Sequence, residues 1–208
     1  MQTESIAQNK SFSFPWYDAW WLSAYYRACD YISLHHPEVL QDFHAAMAVF
    51  RTSADFREMK VSGVFSNAVH AELVAIANEA ISNPTELHEL FSFGRLVVHN
   101  HQRINQLHYA LAARMSEWVG EEVQACYNFL SLYNNLGVCE PHMDAPQAKW
   151  TLDYCIRQSE PWPISFSQII DWPEPWQGST EHWNKKILDD TAYRFTDHIL
   201  QELSLIHI

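Results

Sequence analysis

The sequence predicts an α+β fold in which helices from about the first 120 residues pack on the outside of a jelly-roll core. Two observations of patterning carry this. Apolar residues recur at three- and four-residue steps before Gly120 and at two-residue steps after it, the periods of helix and strand respectively. Composition supplies the third: 208 residues with 48% hydrophobic side chains can bury a sizeable core, so one domain spanning residues 1–208 is expected. Within it, about residues 1–120 form the mainly helical part and about 121–202 a partial jelly-roll core.

Pro37 suits a first helical position, where no backbone N–H is needed, and Val39, Leu40, Phe43, Met47 and Phe50 follow as one apolar stripe. A second helix runs from about Ala68 to Ile81, with Leu73, Ile76, Ala77 and Ala80 on one face and Asn83-Pro84 stopping it. Arg95–His99 is short and branched, as strands are. The third helix, roughly His101 to Val119, carries Ile104, Leu107, Leu111, Met115 and Trp118 at helical period, and Gly120 stands where a left-handed cap is wanted. Beyond it Tyr127–Tyr133 and Trp150–Ile156 alternate, and Ile164, Phe166, Gln168 and Ile170 continue the alternation. Short strands separated by polar turns are how a jelly roll looks in sequence.

Asp171–Gly178 reads as a loop, Ser179–Asp190 as a short helix capped by Ser179, and Arg194–Leu200 as strandlike. The last six residues, Leu203–Ile208, match one reading frame of the transposon end used in preparing sequencing libraries. They are expected to be adapter-derived and are kept out of functional reasoning. On that reading the natural chain continues beyond about Gln201, and late strands of the jelly roll are missing.

Charge narrows the function. A formal net charge of −12 argues against a nucleic-acid partner, because such binding draws its affinity from clustered Lys and Arg. Cys29, Cys126, Cys139 and Cys155 lack paired CxxC spacing and follow no signal peptide, so reduced thiols in a cytoplasm are expected. No apolar run approaches the roughly 20 residues that cross a bilayer, so no membrane partner is expected.

The chemistry concentrates between Tyr133 and Asp144, where the chain reads YNNLGVCEPHMD. In an extended strand, residues two apart point to one side, so His142 and Asp144 can offer an imidazole and a carboxylate to a single ion. That is two thirds of the 2-His-1-carboxylate facial triad, which holds iron(II) on one face and leaves the other positions open. In a chain with 12 His a bare HxD is weak, a surface His beside an Asp being its ordinary explanation. Context strengthens it. Tyr133 closes an aromatic strand nine positions before His142, a Gly-containing turn lies between, and two apolar strands follow Asp144.

In this order of elements, residues 127–170 resemble the double-stranded β-helix of the iron(II)/2-oxoglutarate-dependent dioxygenases. The Tyr-to-His spacing is similar to that of their prolyl-hydroxylase-like and AlkB-like branches. More narrowly, EPHMDAP at 140–146 with KWTLD at 149–153 looks like an uncharacterised bacterial group of that superfamily. The resemblance implies Fe(II) held by His142 and Asp144, with 2-oxoglutarate as cosubstrate, O2 as oxidant, and hydroxylation of a small-molecule or peptide substrate. It makes Tyr133 a candidate hydrogen-bond partner for the distal carboxylate of 2-oxoglutarate, beside the alternative of a core tyrosine. Lys149 is a candidate cosubstrate cation, a solvated strand-end lysine being the plainer account.

The family's third ligand is a distal His on a late strand, followed by an Arg that grips 2-oxoglutarate bidentately. His182 comes too soon after Asp144, in a predicted helix. His198 lies in the strandlike segment but no Arg follows it, so it is a candidate while the true ligand is expected beyond the chain, leaving this chain inactive as it stands. Two rivals remain: a non-catalytic jelly-roll binding protein in which HxD is incidental, and a cupin-like metal enzyme that uses no 2-oxoglutarate. Cysteine zinc spacing, HExxH, a glycine-rich phosphate loop and GxSxG do not occur.

Overall fold

The structure is a computed structural model that describes residues 20–142, 144–169, 172, 193–200 and 204–207. In chain order the elements are α1 (Trp20–His35), α2 (Leu40–Met47), β1 (Met59–Ser62), α3 (Asn67–Ser82), β2 (Arg95–His99), α4 (Gln102–Val119), β3 (Phe129–Tyr133), β4 (Leu152–Tyr154), β5 (Pro163–Ser167), β6 (Phe195–Ile199) and β7 (Ser204–His207). Single 3₁₀ turns, Pro37–Val39 and Ala48–Phe50, flank α2, so the stripe read as one helix from Pro37 is three short pieces. The fold is α+β, with the strands in three small sheets ordered β1-β7-β4, β2-β3 and β5-β6. The predicted loop 171–178, apart from Trp172, and the predicted helix 179–190 with His182 lie outside the described residues.

The chain groups into two compact units: residues 1–57, 140–149 and 164–198, and residues 58–139, 150–163 and 199–208. The first is centred on α1, which the sequence reading passed over. Trp21, Leu22 and Tyr25 of α1 are buried with Trp172, and Phe43, Met47, Tyr193 and Phe195 pack against them. Trp172 meets Trp21 and Tyr25 edge-on at centroid distances of 4.9 and 5.0 Å, the arrangement the ring quadrupoles favour. The Arg51 guanidinium lies 4.3 Å over the Trp172 ring. Tyr25 also ties α1 to α2 through a 2.9 Å hydrogen bond between its hydroxyl and His44 Nδ1. In β5 and β6, the Ser165 hydroxyl donates to Asp197 Oδ1 at 2.6 Å.

The second unit holds the β2-β3 pair, antiparallel with Arg95 opposite Tyr133, Val97 opposite Ser131 and His99 opposite Phe129. Val97 and Leu130 are buried, as are Leu73 and Ala77 of α3 and Met115 of α4. Gly120 caps α4 at φ 73° with its N–H on Ser116 O, the left-handed cap expected of it. Past the strand ends the pairing continues irregularly: Asn134 N–H donates to Gly94 O at 2.9 Å and Val138 N–H to Phe93 O at 3.0 Å. Within the turn, Leu136 N–H donates to Asn134 Oδ1 and Gly137 N–H to Asn134 O, an Asx-type turn.

Two strand expectations shorten. Trp150–Ile156 contributes only Leu152–Tyr154, and Tyr127–Tyr133 starts at Phe129. Ser204–His207, in the tail read as adapter-derived, is the middle strand between β1 and β4, with Leu205 opposite both Val61 and Tyr154. A backbone ladder asks only for an extended segment with free N–H and C=O groups, so this placement is indifferent to the origin of the tail's sequence.

Candidate metal centre

Glu140–Lys149 belongs to the first unit. Of the described residues of the HxD, where a strand is expected, His142 is a bridge residue and Asp144 lies in irregular backbone. Pro141, immediately before His142, has no N–H to give a ladder.

The two heads nevertheless turn to one side. His142 Nε2 stands 3.6 Å from Asp144 Oδ1, and His142 Nδ1 lies 2.7 Å from the Glu140 carbonyl oxygen. A carbonyl can only accept, so Nδ1 carries the proton in that bond, and in the neutral ring Nε2 is the nitrogen left to ligate, on the side of Asp144. This is the tautomer a ligating histidine needs, fixed by a backbone acceptor behind the ring. Two donors each about 2.0–2.2 Å from one ion can be at most about 4.4 Å apart, and the observed separation falls inside that limit. Side-chain exposures of 33% and 39% leave the pair open to solvent. Without an ion the same pair is a half-exposed His–Asp contact worth about 0–1 kcal/mol.

Among the described residues no group of three His, Cys, Asp or Glu side chains is placed to hold an ion, so His198 is not gathered with His142 and Asp144. It sits on β6 with its ring 5.5 Å from that of Phe166 on β5. Lys149 is exposed at a bend closing the same segment.

Tyr133 belongs to the second unit, and its surroundings contain a residue the sequence reading missed. Arg95 Nη1 donates to the Tyr133 hydroxyl at 2.7 Å and to Ser131 Oγ at 3.3 Å, while Arg95 Nε is bonded to the Glu89 carboxylate. Trp162 meets the Tyr133 ring edge-on at 4.7 Å. Burial pulls the Arg95 guanidinium down, but the Glu89 carboxylate and the Tyr133 hydroxyl more than offset this and leave its pKa above the usual value. Burial, with Cys139 beside it, pushes the Tyr133 phenol up, and Arg95 partly opposes that. Arg95 meets Tyr133 through cross-strand register, which one sequence does not display. Comparison with family models, curated proteins and solved structures gives no match.

Proposed function

We propose that this chain is part of a non-haem Fe(II)/2-oxoglutarate-dependent oxygenase, acting in the cytoplasm on a small-molecule or peptide substrate, with β3 to β6 contributing to a double-stranded β-helix. The observation that carries the reading is the donor pair: His142 Nε2 and Asp144 Oδ1 at 3.6 Å, with His142 Nδ1 engaged by the Glu140 carbonyl. An imidazole and a carboxylate two residues apart, turned to one side and open to solvent, are what a facial iron site asks of a protein. Iron(II) bound there, with 2-oxoglutarate and O2, supplies oxidative decarboxylation coupled to substrate hydroxylation.

The chain's own tasks are narrower. His142 and Asp144 hold the ion, the Glu140 carbonyl keeps the His142 proton on Nδ1, and the exposure of the pair leaves room for cosubstrate. The net charge of −12 supports a partner other than nucleic acid.

Titration with Mn(II), followed by electron paramagnetic resonance, and 2-oxoglutarate-dependent succinate formation with Fe(II) test this. His142→Ala and Asp144→Ala should each weaken Mn(II) binding and abolish any succinate formed, whereas His198→Ala weakens binding only if that residue is the third ligand. Mn(II) affinity unchanged in both His142→Ala and Asp144→Ala would overturn the reading. Metal-dependent turnover without 2-oxoglutarate would favour a cupin-like enzyme instead.

A further inference from the structure

β7 is held on both sides. Met59, Lys60, Val61 and Ser62 of β1 register with His207, Ile206, Leu205 and Ser204, and Leu152, Asp153 and Tyr154 of β4 register with His207, Ile206 and Leu205. β1 and β4 therefore run parallel, two strand spacings or about 10 Å apart, each paired in this sheet to the strand between them. The slot they flank is one strand wide and offers backbone partners along both of its edges. Its entrance is fitted to main chain as well: Lys60 Nζ donates to Ile199 O at 2.9 Å and Gln158 Nε2 to Leu200 O at 2.5 Å. None of these bonds reads a side chain of the occupant.

The rows across the slot nevertheless carry a pattern. Residues directly opposite share a face of the sheet, so position 205 lies in a row with Val61 and Tyr154, position 207 with Met59 and Leu152, and position 206 with Lys60 and Asp153. Met59 and Val61 are half-buried while Lys60 is exposed. Tyr154 is backed at the start of α3, its hydroxyl 3.0 Å from His70 Nδ1 and its ring 5.0 Å from that of Phe65. The slot thus asks for apolar residues at 205 and 207 and a polar one at 206. β7 registers Leu205 in an apolar row, but His207 in the other apolar row and Ile206 in the charged one. The pattern is set by β1 and β4 alone, so it holds whatever the origin of the tail.

We propose that the β1-β4 slot is a binding site for an extended peptide segment of another chain, apolar, polar and apolar over three consecutive residues, with β7 as an exchangeable occupant. The site is independent of the iron reading. Backbone pairing supplies its affinity and alternate side chains its specificity, as in strand addition to a sheet edge, here with two edges at once. β7 competes because its tether keeps it at an effective concentration of about millimolar. A matched guest gains what the two mismatched rows forfeit.

The test titrates the full chain with a fluorescent, end-capped hexapeptide alternating Val and Thr, read by anisotropy. Its control carries Pro at the two central positions and cannot complete either ladder. Wild type should bind the alternating peptide saturably. Ile206→Pro, which removes a backbone N–H from the middle of β7, should bind it roughly tenfold or more tightly, because the competitor is gone. The double variant Ile206→Thr with His207→Val, whose rows match, should bind it more weakly than wild type and slow amide exchange across β1 and β4. Equal affinity in all three proteins, or equal binding of the proline control, places the peptide elsewhere and overturns the proposal. Absence of saturable binding to both wild type and Ile206→Pro does the same. A wild-type dimer that Ile206→Pro turns into a monomer also overturns it, and gives the slot to a second copy of this chain. Where Ile206→Pro loses the wild-type circular dichroism spectrum, the double variant decides: unchanged exchange and unchanged peptide affinity in it refute the row pattern.

Discussion

Gly94→Ala should be the costliest of the glycine substitutions in the β2-β3 region, and its cost can be worked from three terms. Gly94 has φ 62°, where an L side chain adds about 1–2 kcal/mol of backbone strain. A Cβ there would sit 2.8 Å from Gly137 Cα and 3.0 Å from both Gly137 N and Leu136 O, all backbone atoms that cannot rotate aside. The strands must part, which weakens the Asn134 N–H to Gly94 O and Val138 N–H to Phe93 O bonds at about 0.5–1.5 kcal/mol each. Reduced unfolded-state freedom returns about 0.4–1 kcal/mol. The net is a destabilisation of about 1–4.5 kcal/mol. Gly120→Ala provides the control: φ is 73° but nothing lies within 4 Å of its Cβ, so only the strain and unfolded-state terms apply and the loss should be about 1 kcal/mol. Urea denaturation gives the two losses, and amide exchange at Asn134 and Val138 gives the local effect. Equal losses for the two variants, or unchanged exchange at Val138 in Gly94→Ala, would refute the steric reasoning.

Three further outcomes are expected. Tyr25→Phe removes a partly buried hydroxyl bonded to His44 and should cost about 1–2 kcal/mol in urea denaturation, seen as a loss of the α1–α2 tie. His108 has its pKa lowered by burial, and the Asn128 amide at 3.2 Å donates to its Nδ1, which must therefore be unprotonated. Below the ordinary histidine value the unfolded chain binds the extra proton more readily than the folded one, so stability should fall as pH drops below about 6.5. His108→Gln should flatten that slope. The Glu86 carboxyl is held below its usual range by the His99 backbone N–H and then by the His99 side chain. Its contribution is full above the ordinary carboxylate range and lost as pH falls through its own lower pKa, so in acid titration Glu86→Gln should lack the wild type's final loss of stability below about pH 4.

Period and punctuation made much of the helical half legible. The stops at Asn83 and Gly120, and the strand Arg95–His99, are where side-chain pattern and turn chemistry place them. The miss at α1 is instructive, because its buried positions, Trp21, Leu22 and Tyr25, with Cys29 behind them, do follow a helical face. The face is aromatic, and aromatic residues are indifferent helix formers that read as readily as core of a strand. Strand lengths after Gly120 were overestimated for a different reason: alternation continues wherever one side of a chain is half-buried, whereas a strand also needs a partner. At Trp150–Ile156 only three residues have one.

The two candidate sites differ in how far apart in sequence their parts lie, and this sets how each should respond to perturbation. His142 takes its orientation from the Glu140 carbonyl two residues before it and meets Asp144 two residues after it. That geometry is local, so spacing alone could disclose it. Arg95 and Tyr133 are 38 positions apart and meet only because β2 and β3 pair in one register. Register is a long-range property that no spacing rule reveals. The same contrast makes Gly94→Ala a probe of locality as well as of stability. By parting the strands next to the Arg95–Tyr133 pair it should speed amide exchange at Asn134 and Val138, while Mn(II) affinity at the locally organised His142–Asp144 pair stays at the wild-type value. Loss of Mn(II) affinity as well would mean that the metal pair also depends on the β2-β3 register, and that its geometry is not local after all.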